Sequence, residues 1–428
     1  EPVTLRGITW NHTRGLLPVV ATAQRYAELH PGVTIEWDKR SLQAFADAPI
    51  DDLVAQYDLL VIDHPWAGFA AASGVLVDFN EALPKEYMED QAENSVGPSH
   101  RSYEFDGRQT ALAIDAATPV ASWRPDLLAR AGVGVPETWA DVLALARKGM
   151  VAFPAIPIDS LMNFYMFCVA YGEEPFLRED ELVGLEVGTA ALETMRELAA
   201  LCPRDMFGWN PIRVYEALST GDTLAYCPFA YGYSNYARPG YGRHELRFGD
   251  LVRFGDGGDG GAGDNRGGGV DGDGAAGGRR DRGGGHDGGG DGSGEHGSGG
   301  GRLRSTLGGT GIAVSAASRH RDIAVDYAAF TASPQVQRTL YAEAGGQPGH
   351  RAAWLDERVN RLANGYFRDT LPALDRAYLR PRYNGYMHFQ DHAGDAVRSY
   401  MLGEIGAAAA LARMNELYRE SRRLGGAK

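Results

Sequence analysis

The sequence predicts an α/β fold with two lobes, and three observations support that fold class. The chain has 428 residues, which is more than a single hydrophobic core normally serves. Its first sixty residues alternate between strand and helix patterns, and a second block of strands and helices fills the region from about residue 117 to 250. A hydrophobic content of 44% is normal for a folded protein and excludes global disorder.

The first lobe is predicted from its order of elements, which is strand, helix, strand, helix, strand. Residues 3–10, 33–37 and 57–62 form apolar or alternating runs that are typical of strands. Residues 16–30 and 42–56 carry apolar side chains at helical spacing. This order implies parallel strands joined by right-handed crossovers.

The rest of the chain is predicted to be mostly helical, with a few short strands. The Asp-Gly dipeptide at 106–107 indicates a hairpin turn, and Thr138 is the expected N-cap of a helix that runs to Lys148. Further strands are predicted at 110–114, 120–123, 223–226 and 307–315. Further helices are predicted at 125–132, 160–171, 180–201, 211–219, 320–332, 334–344, 386–402 and 404–423.

Residues 255–301 differ in kind from the rest of the chain. They contain 25 glycines in 47 residues and almost no apolar side chains. Such a segment cannot bury enough surface to offset its conformational entropy, so we expect a disordered insert. An irregular period also argues against a calcium-binding Gly-Asp repeat.

Charge and cysteine content narrow the function classes. The net charge is 42 − 56 = −14, which argues against nucleic acid or an anionic membrane surface as the main partner. No apolar run is long enough to span a membrane. Three cysteines are too few for a disulfide scaffold, although one bridge between Cys202 and Cys227 remains possible. The cysteine content therefore does not decide between an oxidising and a reducing compartment.

Catalytic and cofactor motifs were sought and not found. The sequence has no G-x-S-x-G elbow, no phosphate loop ending in Gly-Lys-Ser/Thr, no H-E-x-x-H and no paired C-x-x-C. We therefore expect no catalytic residue, no cofactor and no bound metal. An enzyme is less expected because these motifs are missing, but their absence does not exclude one.

Polar and aromatic side chains follow the predicted strand ends, where open α/β sheets bind ligands. These residues are Trp10, His12, Arg40, Asp63, His64, Trp66 and Asp115 in the first lobe, and Trp209, Tyr231 and Tyr233 in the second. Aromatic faces pack on the apolar face of a sugar ring, while Asp and Arg bond its hydroxyls. The set therefore predicts a site for a small polar ligand. Structural alternatives stay open for each residue, such as an Arg40–Asp63 ion pair or histidines bonded to nearby backbone.

The order of several segments resembles the extracellular solute-binding proteins of ABC importers, in particular the carbohydrate-type, maltose-binding-like family 1. These segments are Trp37-Asp38-Lys39-Arg40, then YDLLVID at 57–63, STLGGTGIAV at 305–314, and FTASPQVQRTLYAEAGGQPGHRAAW at 330–354. The resemblance implies the class II periplasmic-binding-protein fold, with the ligand cleft between its lobes and extra C-terminal helices. It implies a first lobe of residues 1–116 and 302–345 and a second lobe of 117–250 and 346–428. Hinges are implied near 116–119, 246–254 and 345–346.

The same resemblance implies the function. The protein would capture a sugar, polyol or sugar acid by hinge closure and deliver it to a membrane permease. It implies ligand contacts at the strand-end residues above, with Gly309 and Arg351 as further candidates. The expected location is periplasmic or extracellular, a lipid anchor is left open, and a monomer is expected.

Two alternatives remain at this stage. One is an α/β enzyme for a small polar or carboxylate substrate, with Asp63, His64 and Asp115 as acid–base groups. The other is a binder of metals or metal chelates that uses Tyr231, Tyr233 and His64. The ligand itself is also open, because Arg40 and His64 would suit a small carboxylate.

Overall fold

The computed structural model describes residues 2–255 and 301–426. The predicted disordered insert at 255–301 therefore lies outside the described residues, except for its two end residues. The described chain forms two lobes, each with its own sheet and core. This confirms the predicted two-lobed α/β class.

Ten strands are described, and they are numbered in chain order. They are β1 Val3–Trp10, β2 Val33–Arg40, β3 Leu59–Ile62, β4 Glu104–Phe105, β5 Arg108–Gln109, β6 Leu112–Asp115, β7 Pro119–Trp123, β8 Tyr226–Tyr231, β9 Arg247–Gly249 and β10 Thr310–Val314.

The helices complete the two lobes. They are α1 Thr13–Leu29, α2 Leu42–Asp47, α3 Ile50–Val54, α4 Ala67–Ser73, α5 Phe79–Ala82, α6 Lys85–Glu93, α7 Ser99–Ser102, α8 Pro125–Ala131, α9 Trp139–Arg147, α10 Pro157–Ala170, α11 Leu185–Ala199, α12 Pro211–Thr220, α13 Arg321–Ala332, α14 Pro334–Val336, α15 Arg351–Trp354, α16 Glu357–Leu362, α17 Tyr366–Asp375, α18 Tyr386–Met401 and α19 Ala407–Leu424. Short 3-10 turns occupy His64–Trp66, Arg204–Gly208 and Ser234–Ala237, and a π turn occupies Gln337–Tyr341.

Lobe one is built on a five-stranded sheet of order β2-β1-β3-β10-β6. β1 is parallel to β2 and β3, with Ile8 opposite Leu60, as the strand-helix alternation predicts. β10 lies between β3 and β6 and is antiparallel to both. Successive side chains of a strand point to opposite faces, so the sheet buries one apolar set under α1 and α13 and another under Trp66 and its neighbours.

Lobe two is built on a three-stranded antiparallel sheet of order β8-β7-β9 and on a large helical layer. α18 packs against α10 and α19, and α11 packs against α10. Helix α10 is apolar on nearly every face, which is typical of a helix buried on all sides. The predicted C-terminal helices are confirmed as α18 and α19.

Three connections join the lobes. The chain passes from β6 to β7 through residues 116–118, returns at 307–310, and crosses again at 344–350. Gln347 joins the third connection to the first and to the residues after β8, because its side-chain amide donates to the carbonyls of Ala116 and Gly232. The stretch 246–254, expected at a hinge, lies inside lobe two, where β9 pairs with β7 and Leu251 is buried.

Some local predictions needed correction. The helix predicted at 42–56 is two short helices, because Pro49 has no backbone N–H to continue the first one. The strand predicted at 223–226 lies further along the chain, at Tyr226–Tyr231, where it pairs with β7. The helix predicted at 334–344 becomes a π turn after Val336. The Thr138 cap is confirmed, with a reciprocal capping box to Asp141.

Candidate ligand-binding site

A cavity of about 780 Å³, open to solvent, lies between the two lobes. Both lobes contribute to its walls, together with the crossing segments. Its lining residues are Trp10, Arg14, Leu42, Gln43, Phe45, Asp63, Ala117, Ile156, Ile158, Asp159, Met162, Asn210, Pro211, Tyr231, Tyr233, Gly308, Gly309, Thr310 and Arg380.

The lobe-one wall is set by the junction of β1 and α1. Trp10 is the last residue of β1, and the Nδ1 atom of His12 caps α1 by accepting from the Arg14 backbone N–H at 3.0 Å. Gly15 allows α1 to lie on the indole, since a Cβ there would come within 2.3 Å of Trp10 Cδ2. The Trp10 ring is also 5.3 Å from the Phe45 ring. These contacts therefore fix the position of the Trp10 indole in the absence of a ligand.

Arg14 sits behind this wall in a bidentate ion pair with Asp115, at 2.7 and 2.6 Å. It also donates to the Gly232 carbonyl at 2.9 Å and lies 4.5 Å from the Tyr233 ring centroid. Although burial acts in the opposite direction, the Asp115 carboxylate holds the pKa of Arg14 above its usual range. Arg14 therefore stays charged and connects lobe one to lobe two.

A second buried pair joins the lobes at Asp63, directly after β3. Nη2 of Arg380 donates to both Asp63 oxygens, and Nη1 of Arg380 donates to Gln390 on α18 at 2.9 Å. Burial by itself would raise the pKa of Asp63, but Arg380 and then His64 hold it well below its ordinary value. Two groups here, Arg380 Nε and Thr310 Oγ1, are buried with no hydrogen-bond partner among the described residues. Both residues line the cavity.

Lobe two supplies aromatic and carboxylate groups. Tyr231 ends β8, and its hydroxyl lies 2.7 Å from Thr306 Oγ1. Tyr233 follows two residues later and contacts the His12 ring edge-on. Asp159 lies in the first turn of α10, is only 6% exposed and lines the same cavity. Burial raises the pKa of Asp159 to about 8.

Five of the residues predicted for the site line the cavity. They are Trp10, Asp63, Tyr231, Tyr233 and Gly309. Gly309 has φ +90°, and a Cβ there would come within 2.4 Å of the Asp115 carbonyl. The backbone of lobe one can therefore approach the cavity only with glycine at this position.

Three others lie directly behind the lining. Asp115 is fully buried under Arg14, and His12 is the cap of α1. His64 is also fully buried, with Nδ1 3.3 Å from Asp63 Oδ1. Burial, aided by Arg14, lowers the pKa of His12 to about 3, and burial, aided by Arg380, lowers that of His64 to about 4. Both imidazoles are therefore neutral in neutral solution.

The remaining four lie away from the cavity lining. Arg40 lies over the Phe45 ring and donates to the Ala44 carbonyl, so it does not pair with Asp63. Trp66 is packed against Phe69 in the lobe-one core. Trp209 lies beneath the Arg213 guanidinium, and Arg351 forms a surface ion pair with Asp375.

Sequence reasoning missed Arg14, Asp159 and Arg380. A usable signal existed for Arg14, which occupies the buried face of α1 with Pro18 and Thr22 at helical spacing. A first-turn carboxylate such as Asp159 is usually only a helix-dipole partner, so its pattern carried no distinct signal. Arg380 lies in a loop, and nothing local marks it.

In residues 2–255 and 301–426 no helix is long and apolar enough to cross a membrane. Within the same ranges no group of three His, Cys, Asp or Glu side chains could hold a metal ion. All three cysteines are free in the structure, so the bridge left open between Cys202 and Cys227 is not formed.

The comparisons with known proteins agree with the geometry. Residues 9–200 match the model of the bacterial extracellular solute-binding protein family. No curated protein sequence matches the chain.

Many solved structures share the fold at low identity. A maltose-bound protein from T. maritima is 16% identical, with 97% of this chain and 99% of that chain covered and a TM-score of 0.76. A ribitol complex from Agrobacterium radiobacter is 18% identical, with 99% and 100% covered and a TM-score of 0.74. A D-mannitol complex from Agrobacterium vitis is 15% identical, with 99% of each chain covered and a TM-score of 0.71.

The lobes, the cleft and its position between three connections are therefore those of a known architecture. The family match covers lobe-one and lobe-two residues alike, and the fold match extends over nearly the whole chain. Residues 9–200 are thus similar to the bacterial extracellular solute-binding proteins, and nearly the whole chain shares the fold of the maltose-bound and ribitol-bound proteins.

Proposed function

We propose that this protein is the substrate-binding subunit of an ABC importer. It captures a small polyhydroxylated solute, a sugar or a polyol, in the cleft and delivers it to a membrane permease. The protein works outside the cytoplasmic membrane, in a periplasm or at the cell surface. It performs no chemistry on its ligand.

The observation that carries this proposal is the composition of the cavity walls. Trp10, Tyr231 and Tyr233 supply aromatic surface from both lobes, and Asn210, Thr310 and Arg380 bring polar side chains to the lining. Aromatic rings pack on the C–H face of a sugar or polyol, and the polar atoms satisfy its hydroxyls. Ligand contacts made from both lobes favour the closed arrangement, because only closure makes them all.

The structure also gives no support to the enzyme alternative. His64 and Asp115, expected as acid–base groups, do not line the cavity, and Asp63 is held by Arg380. A general base must reach the substrate proton directly or through one water. The metal-chelate alternative relied on His64, which does not line the cavity.

A thermal-shift screen of maltose, ribitol, D-mannitol and gluconate tests the ligand class. A ligand at 100 times its Kd adds about 2.7 kcal/mol to the free energy of unfolding, which should raise Tm by a few degrees. We expect a neutral sugar or polyol to give this shift and to be recovered unchanged. Turnover of any compound would contradict the proposal.

Two matched substitutions locate the binding. Tyr231→Ala, in the cavity wall, should weaken binding of the ligand by more than tenfold. Tyr171→Ala, at a half-exposed tyrosine outside the lining, should leave Kd unchanged. Equal effects of both substitutions would place the site elsewhere. Small-angle scattering with and without ligand then tests closure, which should reduce the radius of gyration.

Delivery is tested in cells. Deleting the gene should abolish uptake of the radiolabelled ligand identified by the screen, and the wild-type gene should restore it. Restoration by the Tyr231→Ala variant to the wild-type rate, at ligand concentrations below Kd, would contradict a delivery role for this cleft.

A further inference from the structure

Asp159 is a carboxylate of the cavity lining that the proposed sugar site does not account for. It lies in the first turn of α10, a 14-residue helix, and it is 6% exposed. Its side chain lines the cavity opposite Trp10 and Arg14 of lobe one. It is therefore withdrawn from bulk water while still accessible to a bound ligand.

The Asp159 carboxylate has no protein partner in the part of the chain that the structure describes. No side chain or backbone N–H of residues 2–255 or 301–426 donates to it, and none forms an ion pair with it. Buried carboxylates are normally paired or hydrogen-bonded, because desolvation of an unpaired one is costly. An unpaired buried carboxylate that faces a cavity is typical of a group kept for a ligand.

The other charges of the lining are already balanced. Arg14 is held by Asp115, and Arg380 is held by Asp63. These two pairs are neutral overall, so Asp159 is left as one uncompensated acidic group in the described lining. Both arginines of the described lining are thus already paired with a carboxylate and are not free to pair with an anionic ligand.

We propose that Asp159 selects a ligand that carries a protonated amine beside its hydroxyls, such as an amino sugar or an aminopolyol. This inference rests on the proposed function, since it names the ligand class of the same cleft. The ammonium group donates to the carboxylate and neutralises its charge, which offsets the desolvation of both groups. The aromatic rings and the remaining polar atoms hold the hydroxylated part.

The protonation states of the cavity support this assignment. Burial raises the pKa of Asp159 to about 8, so the empty cavity holds the acid mostly neutral at pH 7. Binding an ammonium group ionises it and releases a proton. Affinity for an amine should therefore rise between pH 6 and 8.

The other titratable groups that face Asp159 keep one charge state over this range. From β8 and the residues after it, burial raises the pKa values of Tyr231 and Tyr233 to about 12 and that of Cys227 higher still. Asp63 stays ionised, Arg14 and Arg380 stay protonated, and the imidazoles of His12 and His64 stay neutral. Of the groups named here only Asp159 changes its charge between pH 6 and 8, so a rise in affinity over this range is assigned to Asp159 for a ligand whose amine stays protonated.

Calorimetric titration of matched pairs tests the proposal. The pairs are glucose with glucosamine, ribitol with aminodeoxyribitol, and D-mannitol with aminodeoxymannitol, each with the full chain at pH 6, 7 and 8. For at least one pair we expect the amine to bind more than tenfold tighter than its neutral partner at pH 8. We also expect proton release, seen as a dependence of the observed heat on the buffer used.

Asp159→Asn removes the charge at nearly constant volume. It should fold, because it removes a desolvated acid. It should reduce amine affinity by tenfold or more and abolish proton release, while the neutral partner loses far less affinity. Asp322→Asn, at an exposed first-turn position of α13, is the matched control and should change nothing.

The outcomes separate this inference from the proposed function. Neutral polyols that bind as tightly as amines, or equal losses of both in Asp159→Asn, would overturn the inference and leave the sugar-binding function standing. Failure of every neutral and aminated probe to bind would overturn the proposed function and this inference together.

Discussion

One nitrogen of Arg380 donates to both carboxylate oxygens of Asp63, at 2.7 and 2.9 Å. Asp63 directly follows the third strand of lobe one, while Arg380 follows a helix of the lobe-two core. The pair therefore joins the two lobes at the floor of the cleft.

Removing Arg380 should be strongly destabilising. Arg380→Met leaves Asp63 largely buried without its cation, and breaking a buried pair typically costs about 3–5 kcal/mol. Urea unfolding should show this as a lower midpoint. Arg358→Met breaks a half-exposed pair with Glu343 and should cost at most about 1 kcal/mol. Similar losses in both variants would mean that Asp63 is solvated in the protein.

The Asp63–Arg380 pair makes the stability of the fold depend on pH. The pKa of Asp63 is depressed in the folded protein, so its ionisation stabilises the fold at pH values above the unfolded pKa of about 4. As pH falls below that value, the unfolded chain takes up the proton first and the stabilisation is lost. The stability difference between wild type and Asp63→Asn should thus be constant from pH 7 to 5 and shrink below pH 4. Urea unfolding at each pH measures it, and a constant difference down to pH 3 would contradict the depressed pKa.

Gly308 controls the position of the Tyr231 ring. A Cβ at residue 308 would come within 2.5 Å of Tyr231 Cε1, and the ring cannot easily yield because its hydroxyl is held at Thr306. Gly308→Ala should displace the ring and weaken ligand binding by about tenfold, which is about 1.4 kcal/mol. Gly134→Ala, where a Cβ meets nothing within 4 Å, is the control for calorimetric titration. An unchanged Kd in Gly308→Ala would show that Tyr231 does not touch the ligand.

The three cysteines should be unreactive thiols in the native protein. Cys168 and Cys227 are fully buried and Cys202 is partly buried, and burial raises all three pKa values, that of Cys202 to about 12. Native protein at pH 8 should resist iodoacetamide, and protein unfolded in urea without reductant should take up three labels by mass. Uptake of a single label in urea would reveal a Cys202–Cys227 disulfide.

Strand periodicity was enough to predict part of the cavity lining. Residues 3–10 and 57–62 are apolar runs with parallel-sheet character, and their ends must share one edge of the sheet. Trp10 and Asp63 could therefore be assigned to the cleft without a structure, and the structure places both in its lining. The aromatic segment around Tyr231 and Tyr233 was found in the same way.

Arg40, Trp66, Trp209 and Arg351 show where that reasoning ends. Each follows or flanks a predicted element as the lining residues do, yet each packs against a near neighbour instead of the cavity. Which side chain turns inward depends on the twist of the sheet and on what packs above it, and neither is encoded in strand spacing. Only the folded structure shows which of these side chains line the cavity.

What the sequence by itself determined is the class of the protein: two α/β lobes, an acidic surface, no enzyme motif, and aromatic and acidic groups at the strand ends. What only the tertiary structure decided is the charge balance of the cleft. Arg14 meets Asp115 across 101 residues and Arg380 meets Asp63 across 317, while Asp159 has no partner among the residues that the structure describes. Ion pairing depends on distances of a few ångströms in a medium of low polarity, and only the folded chain brings such distant residues that close.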